Sequence, residues 1–249
     1  MEFCKLRKHI TAEIVIVICL ATATVMADET FMVPGQYALA EAGSSDNAPL
    51  GAAEQHFQQV FSSALLTNLS SGDWIDAIAF RVEGNETALP AQTIPTYNIG
   101  LSQSLKAPGS LDPIFANNRG ADFLTVRSGA LTVSAGDFPG GSSPNGFGWI
   151  TFSTPYEYKG GDLLIEIDYQ GFTAGRDADA AYTFNANLAQ TAFGTGYNST
   201  TADAGLYAEA LVIGFSVITE PIPEPGASLL FGMGFLFLAL RSWRNGRLF

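Results

Sequence analysis

The chain has 249 residues, 47% of them hydrophobic and 14% charged, and its 24 acidic against 12 basic side chains leave a formal net charge of −12. That balance excludes a protein that tracks phosphates or docks on anionic lipid, since both need clustered cations. The length suits one domain with a sizeable core. Two cysteines and two histidines are too few for a disulfide framework or a zinc ribbon.

The N-terminus reads as an address. Lys5, Arg7 and Lys8 precede an apolar run at 14–25, and Val25-Met26-Ala27 offers a small-residue cleavage site. Basic, apolar and small-residue regions in that order are the parts of a secretory signal peptide. Residues 1–27 are assigned to it, with cleavage between Ala27 and Asp28; an uncleaved anchor is the alternative. Ile18 before Cys19 is too large for a lipobox. Cys4 and Cys19 both fall in this segment, so the exported body has no disulfide and depends on its core. Residues 28–221 hold 21 Asp plus Glu against 6 Lys plus Arg.

Residues 28–50 read as a loose lead-in, and 51–219 as the folded body. Strand signals recur at 57–66, 74–82, 97–101, 123–127, 130–134, 149–152, 163–169, 181–184 and 206–218, divided by Gly, Asn, Pro and Ser clusters. Ser128-Gly129 reads as a hairpin turn between two of them. At 52–60 helix and strand readings compete. In 163–169 Leu163, Ile165, Ile167 and Tyr169 share one face, with Leu164, Glu166, Asp168 and Gln170 on the other. Polar, Gly-rich loops are expected at 103–121, 135–147 and 185–204. Short strands of period two with no strong helix imply an all-β fold, an antiparallel β-sandwich or jelly roll.

Chemistry-bearing patterns in the body are sparse. Glu166 and Asp168 stand ~6–7 Å apart on one strand face, a spacing that suits paired carboxylates at a glycosidic bond. Glu166-Ile167-Asp168 resembles the core of concanavalin-like endoglucanases. That family places a second Glu shortly after, where this chain has Gln170 and Gly171, and an amide donates no proton to a leaving group. The pair is therefore read as the solvent face of an amphipathic strand. His56 alone builds no zinc site or nucleophilic triad. Asp177 with Asp179, and Asp73 with Asp76, offer hard oxygen ligands of the kind calcium takes, without EF-hand or RTX spacing. No cofactor is assigned beyond that calcium option.

The C-terminus carries the most specific pattern. Pro223, Glu224 and Pro225 break any helix, residues 227–240 are all apolar, Gly or Ser, and Arg241, Arg244 and Arg247 follow. Fourteen residues make a short transmembrane helix against the usual ~20, extended by Trp243 and snorkelling arginines. The basic tip places the C-terminus in the cytoplasm. This order resembles the PEP-CTERM sorting signal of Gram-negative bacteria, assigned here to 222–249. Gly226 stands where many such tails carry Ser or Thr. The segment from Phe152 to Ile167, with its Thr154-Pro155-Tyr156 and Gly160-Gly161, is similar to β-rich extracellular parts of proteins bearing such tails. The resemblance implies an exosortase as processing partner, transient anchoring in the inner membrane, and an exopolysaccharide matrix as destination. A non-enzymatic surface or matrix protein is expected. The alternatives are a lectin-like module using Trp74, Trp149, Tyr156 or Tyr197, and a degenerate glycosidase.

Overall fold

The structure, a computed structural model, describes residues 29–218. Fifteen strands follow in chain order. The first eight are β1 (Glu29–Val33), β2 (Ser44–Asp46), β3 (Gln55–Phe61), β4 (Trp74–Arg81), β5 (Gln92–Ile94), β6 (Tyr97–Gln103), β7 (Leu124–Arg127) and β8 (Leu131–Val133). The rest are β9 (Phe147–Glu157), β10 (Leu163–Tyr169), β11 (Ala178–Ala181), β12 (Ala189–Gly194), β13 (Gly205–Tyr207), β14 (Ala210–Leu211) and β15 (Ile213–Ile218). Helical turns among the described residues are short 3-10 pieces of three residues.

The pairing is nested. β1 pairs with β15, β3 with β10, β4 with β9 and β6 with β7, all antiparallel. Alternate pairs lie in different sheets, giving a four-stranded sheet ordered β1-β15-β4-β9 and a six-stranded sheet ordered β13-β12-β3-β10-β6-β7. First strand with last, second with second-last, and so on inward is the strand order of a jelly roll. Strands β12 and β13 extend the six-stranded sheet beyond β3. Two small sheets, β14-β11-β2 and β5-β8, hold the remaining strands.

Both large sheets bury their inner faces in one core. Ile78, Phe80 and Phe215 come from the smaller sheet, and Phe57, Ile99, Ile165 and Ile167 from the larger. Each such side chain contributes about 1.5–3 kcal/mol when fully buried, and no disulfide assists them. Gly160 and Gly161 turn the chain from β9 into β10 with φ of +90° and +80°, a region that non-glycine residues enter only at a cost.

The sheet's outer face is also covered. Strand period two sends His56, Gln58 and Val60 of β3, and Leu164, Glu166 and Asp168 of β10, away from the main core. Loop residues Leu111, Phe115 and Ala202 fold back over this face and form a second apolar cluster with Val60, Leu164 and Ala192. Every residue of β10 is consequently buried. The alternation in 163–169 holds, but its second face does not meet solvent.

Four further expectations are corrected. Residues 28–50 are not a loose lead-in: β1 forms the edge of the smaller sheet, and Val33, Ala48 and Leu50 are fully buried. Ser128-Gly129 turns the chain but makes no hairpin, because β7 pairs with β6 while β8 pairs with β5. The expected loop at 185–204 contains β12, whose small residues Ala189, Thr191 and Ala192 give little hydrophobic signal. The run at 206–218 is three strands in three sheets. At 52–60 the strand wins, because β10 and β12 hydrogen-bond β3 on both sides.

Phe115→Ala tests the second cluster. Its ring is buried to 1% exposure, so urea denaturation should show a loss of about 3 kcal/mol or more. A loss below ~1 kcal/mol would mean that the loop is not packed on the sheet.

Candidate functional site

The residues with the chemistry of a site converge on the covered outer face. Glu166 lies in register with Gln58 on β3 and Gly100 on β6, and Asp168 with His56 and Asn98. Gly100 leaves room for the Phe123 ring, whose nearest atom would stand 2.4 Å from an added Cβ. Arg119 stacks on that ring, 4.5 Å from its centre, and reaches back to Glu166. Its Nε donates to Oε2 at 2.8 Å and its Nη2 to Oε1 at 2.5 Å, a bidentate fork.

Two more side chains complete the shell of Glu166. Gln58 Nε2 donates to Oε2 at 2.7 Å. His56 Nε2 stands 3.0 Å from Oε1, close but poorly aligned for a hydrogen bond. His56 Nδ1 lies 2.5 Å from the Ser199 carbonyl oxygen; a carbonyl only accepts, so this nitrogen carries a proton. Gln58 Oε1 accepts from Asn118, whose Nδ2 also donates to the Asp112 carbonyl. The polar chain thus runs from the sheet into the covering loop.

Burial pushes the Glu166 carboxyl up, but contact with His56 and hydrogen bonds from Arg119 and Gln58 outweigh it and hold the carboxyl at about 2. Such a group stays ionised and has no proton to give a leaving group. Asp168 shifts the other way: burial raises it, partly offset by the Asn198 amide, which donates at 2.8 Å. The recess over Gly100, about 290 Å³ and bordered by Asn98, Arg119, Phe123, Glu166 and Asp168, is small for a sugar ring with its neighbours. The solvent-face reading of Glu166 and Asp168 is overturned, because the loop carrying Arg119 and Phe115 covers them.

Of the acidic pairs expected to offer calcium ligands, one member of each already has a hydrogen-bond donor. Asp177 accepts from Ser45 Oγ at 3.1 Å, and Asp73 accepts from the Ser70 amide at 2.7 Å. The group that assembles is Glu41, Glu83 and Asp179, with one oxygen from each within 4.8 Å of the others. A hard divalent cation could bridge them, but a cation is already there. Arg81 is fully buried and ion-paired to Asp179, while its Nη2 donates to the Ala40 carbonyl at 2.6 Å. Burial, then the charges of Asp179 and Glu41, raise Glu83 to about 7. Arg81 and a proton therefore share the neutralisation that a metal would supply. Neither Glu41 nor Glu83 stood out in the sequence, because they lie 42 positions apart.

The expected aromatic platforms do not form one surface. Tyr156 is buried and donates to Asp122 at 2.7 Å. Trp149 is exposed but pairs with Ala79, five positions along β4 from Trp74, about 16 Å away at strand rise. Tyr197 is half-buried.

The sorting residues Pro223, Glu224, Pro225, Arg241, Arg244 and Arg247, the cleavage pair Ala27 and Asp28, and the expected helix at 227–240 lie outside the described residues. Among the described residues no helix is long and apolar enough to cross a membrane. The family model of the PEP-CTERM protein-sorting motif matches residues 221–245. The chain therefore carries that motif, in the place where the Pro-Glu-Pro break, apolar run and arginines stand. No curated protein and no solved structure matches the chain.

Glu166→Gln tests the buried network. A carboxyl held below its ordinary value contributes stability above that value, 4.5, and loses it as pH falls through about 2. At neutral pH the variant should lose about 3 kcal/mol in urea denaturation, as broken buried ion pairs do. Its deficit against the wild type should shrink as pH drops below 4.5. A deficit that is constant with pH would contradict the ionic role.

Proposed function

We propose that the chain is a non-enzymatic exported protein, sorted through its C-terminal motif and processed by an exosortase-type enzyme. The observation that carries this reading is the motif match at 221–245. Its parts divide the work physically. The apolar run and the arginines supply insertion and orientation, and the Pro-Glu-Pro element supplies an acidic handle whose two prolines lack backbone donors. The signal-peptide pattern at 1–27 supports export, with the inner membrane of a Gram-negative cell as the transient station. The acidic, cysteine-free body suits a surface or extracellular matrix environment, with exopolysaccharide as its neighbour. The non-enzymatic half of the reading rests on Glu166, whose proton is displaced by a full shell of donors.

Two measurements test the sorting reading. Mass spectrometry of protein released from the cell surface should recover the body without a peptide spanning 229–249; recovery of that intact peptide contradicts processing. Pro223→Ala with Glu224→Ala should leave full-length protein in the inner-membrane fraction, since insertion does not use those residues. Normal surface yield of the double variant would reduce the tail to a plain anchor.

A further inference from the structure

A second concavity is bordered by Gln55, which faces the opposite side of β3 from His56 and Gln58. Strand β13, the segment after β11 and the end of β2 border an open cavity of about 620 Å³, lined by Asp46, Gln55, Tyr182, Phe193, Tyr207 and Glu209. That volume is in the range of small-molecule sites. Three of its walls are aromatic. Tyr182 and Tyr207 are about half exposed, at 48% and 50%, and the Tyr207 ring meets Phe193 at 5.8 Å, tilted by 59°. Tyr182 Oη donates to Asp46 Oδ2 at 3.3 Å.

The charge of the cavity is one-sided. Asp46 and Glu209 border it, while no Lys, Arg or His is among its lining residues. Glu209 is 1% exposed and its Oε1 has no hydrogen-bond partner. A buried carboxyl oxygen left so is costly unless something else meets it. We propose that this cavity binds an organic ammonium group, seated against the Tyr182, Tyr207 and Phe193 rings and neutralised by Asp46 and Glu209.

The alternatives fit less well. An anionic ligand such as a uronate or phosphate would meet two carboxyls and no cation. A neutral sugar could stack on the tyrosines but would leave the charge asymmetry without purpose. An ammonium group uses both features, because aromatic faces and carboxylates each attract cations, most strongly away from water. Burial, then the neighbouring Asp46, raises Glu209 to about 9, so at neutral pH it is a protonated acid. A bound cation would favour its ionised form, and the proton would leave to solvent. Affinity should therefore rise with pH toward about 9. The titratable groups that line the cavity with Glu209 are Asp46, Tyr182 and Tyr207, and the charge of Asp177 also bears on Tyr182.

The test is calorimetric titration of the full chain in a nonionic polyoxyethylene detergent with choline, ethanolamine and neohexyl alcohol. The last is the neutral isostere of choline. At least one ammonium probe should bind about tenfold more tightly than the alcohol, and in buffers of different ionisation enthalpy it should release protons at pH 7. Glu209→Gln copies the protonated acid, so the fold should survive with an unchanged melting temperature. In that variant ammonium binding should weaken about tenfold and proton release should vanish. Tyr207→Leu should weaken ammonium binding while leaving the fold intact. Equal binding of the alcohol overturns the assignment. So does an absence of ammonium binding at about 10 mM, where even a weak site would fill, or binding indifferent to Glu209→Gln. This result is independent of whether the tail is processed.

Discussion

A buried carboxylate inside the six-stranded sheet constrains much of what surrounds it. Glu166 sits in the middle of β10, hydrogen-bonded between β3 and β6, where water cannot reach it freely. An unpaired charge there would cost several kcal/mol. Arg119 is on the covering loop, so the carboxylate is satisfied only when that loop lies across the outer face. Gln58 then binds the same loop from beneath, donating to the Phe115 carbonyl and accepting from Asn118, and Phe115 and Leu111 bury apolar surface beside it. The polar knot and the second apolar cluster hold one another in place. This coupling turns a sheet that would be half-solvated into one covered on both faces.

The same interaction limits the chemistry of the face. A glycosidase acid must hold a proton near neutral pH. Glu166 is surrounded by donors that favour its charged form, and Asp168 accepts from the Asn198 backbone amide. The geometry that first suggested an acid pair is thus used to fasten a loop. At the opposite side Arg81 plays the corresponding part for Asp179, tying β4 to β11 and to the segment at 40–42.

Much of the fold was legible in the sequence because several of its longer strands carry bulky apolar residues at alternate positions. Leu163, Ile165, Ile167 and Tyr169 point inward as their spacing implies, and 74–82 and 97–101 are strands with bulky apolar residues where expected. What was not legible depends on long-range closure. The outer face of β10 looks polar in sequence, and only the return of Arg119, 47 positions away, shows that it is buried. Val33 closes the short apolar run Phe31-Met32-Val33 and Leu50 stands between Pro49 and Gly51, so neither lies in an alternating pattern long enough to mark it as core. β12 is built of small residues whose burial is set by β3. The group of Glu41, Glu83 and Asp179 and the cavity of Tyr182, Tyr207 and Glu209 are assembled from separate segments, and no spacing rule foretells either. The tail was the reverse case: its pattern is entirely local, and the motif match at 221–245 coincides with it.

Closure of the loop over the outer face depends on the charge state of one side chain. Carbon-detected NMR titration of the Glu166 carboxyl in the folded protein measures it directly. The structure predicts a carboxylate that remains ionised well below the ordinary 4.5, with the Arg119 guanidinium protons broadened or lost together with it when it finally titrates. A carboxyl that protonates at or above 4.5 would contradict the account. It would mean that the loop does not close over Glu166, and it would restore the paired-carboxylate chemistry that closure removes.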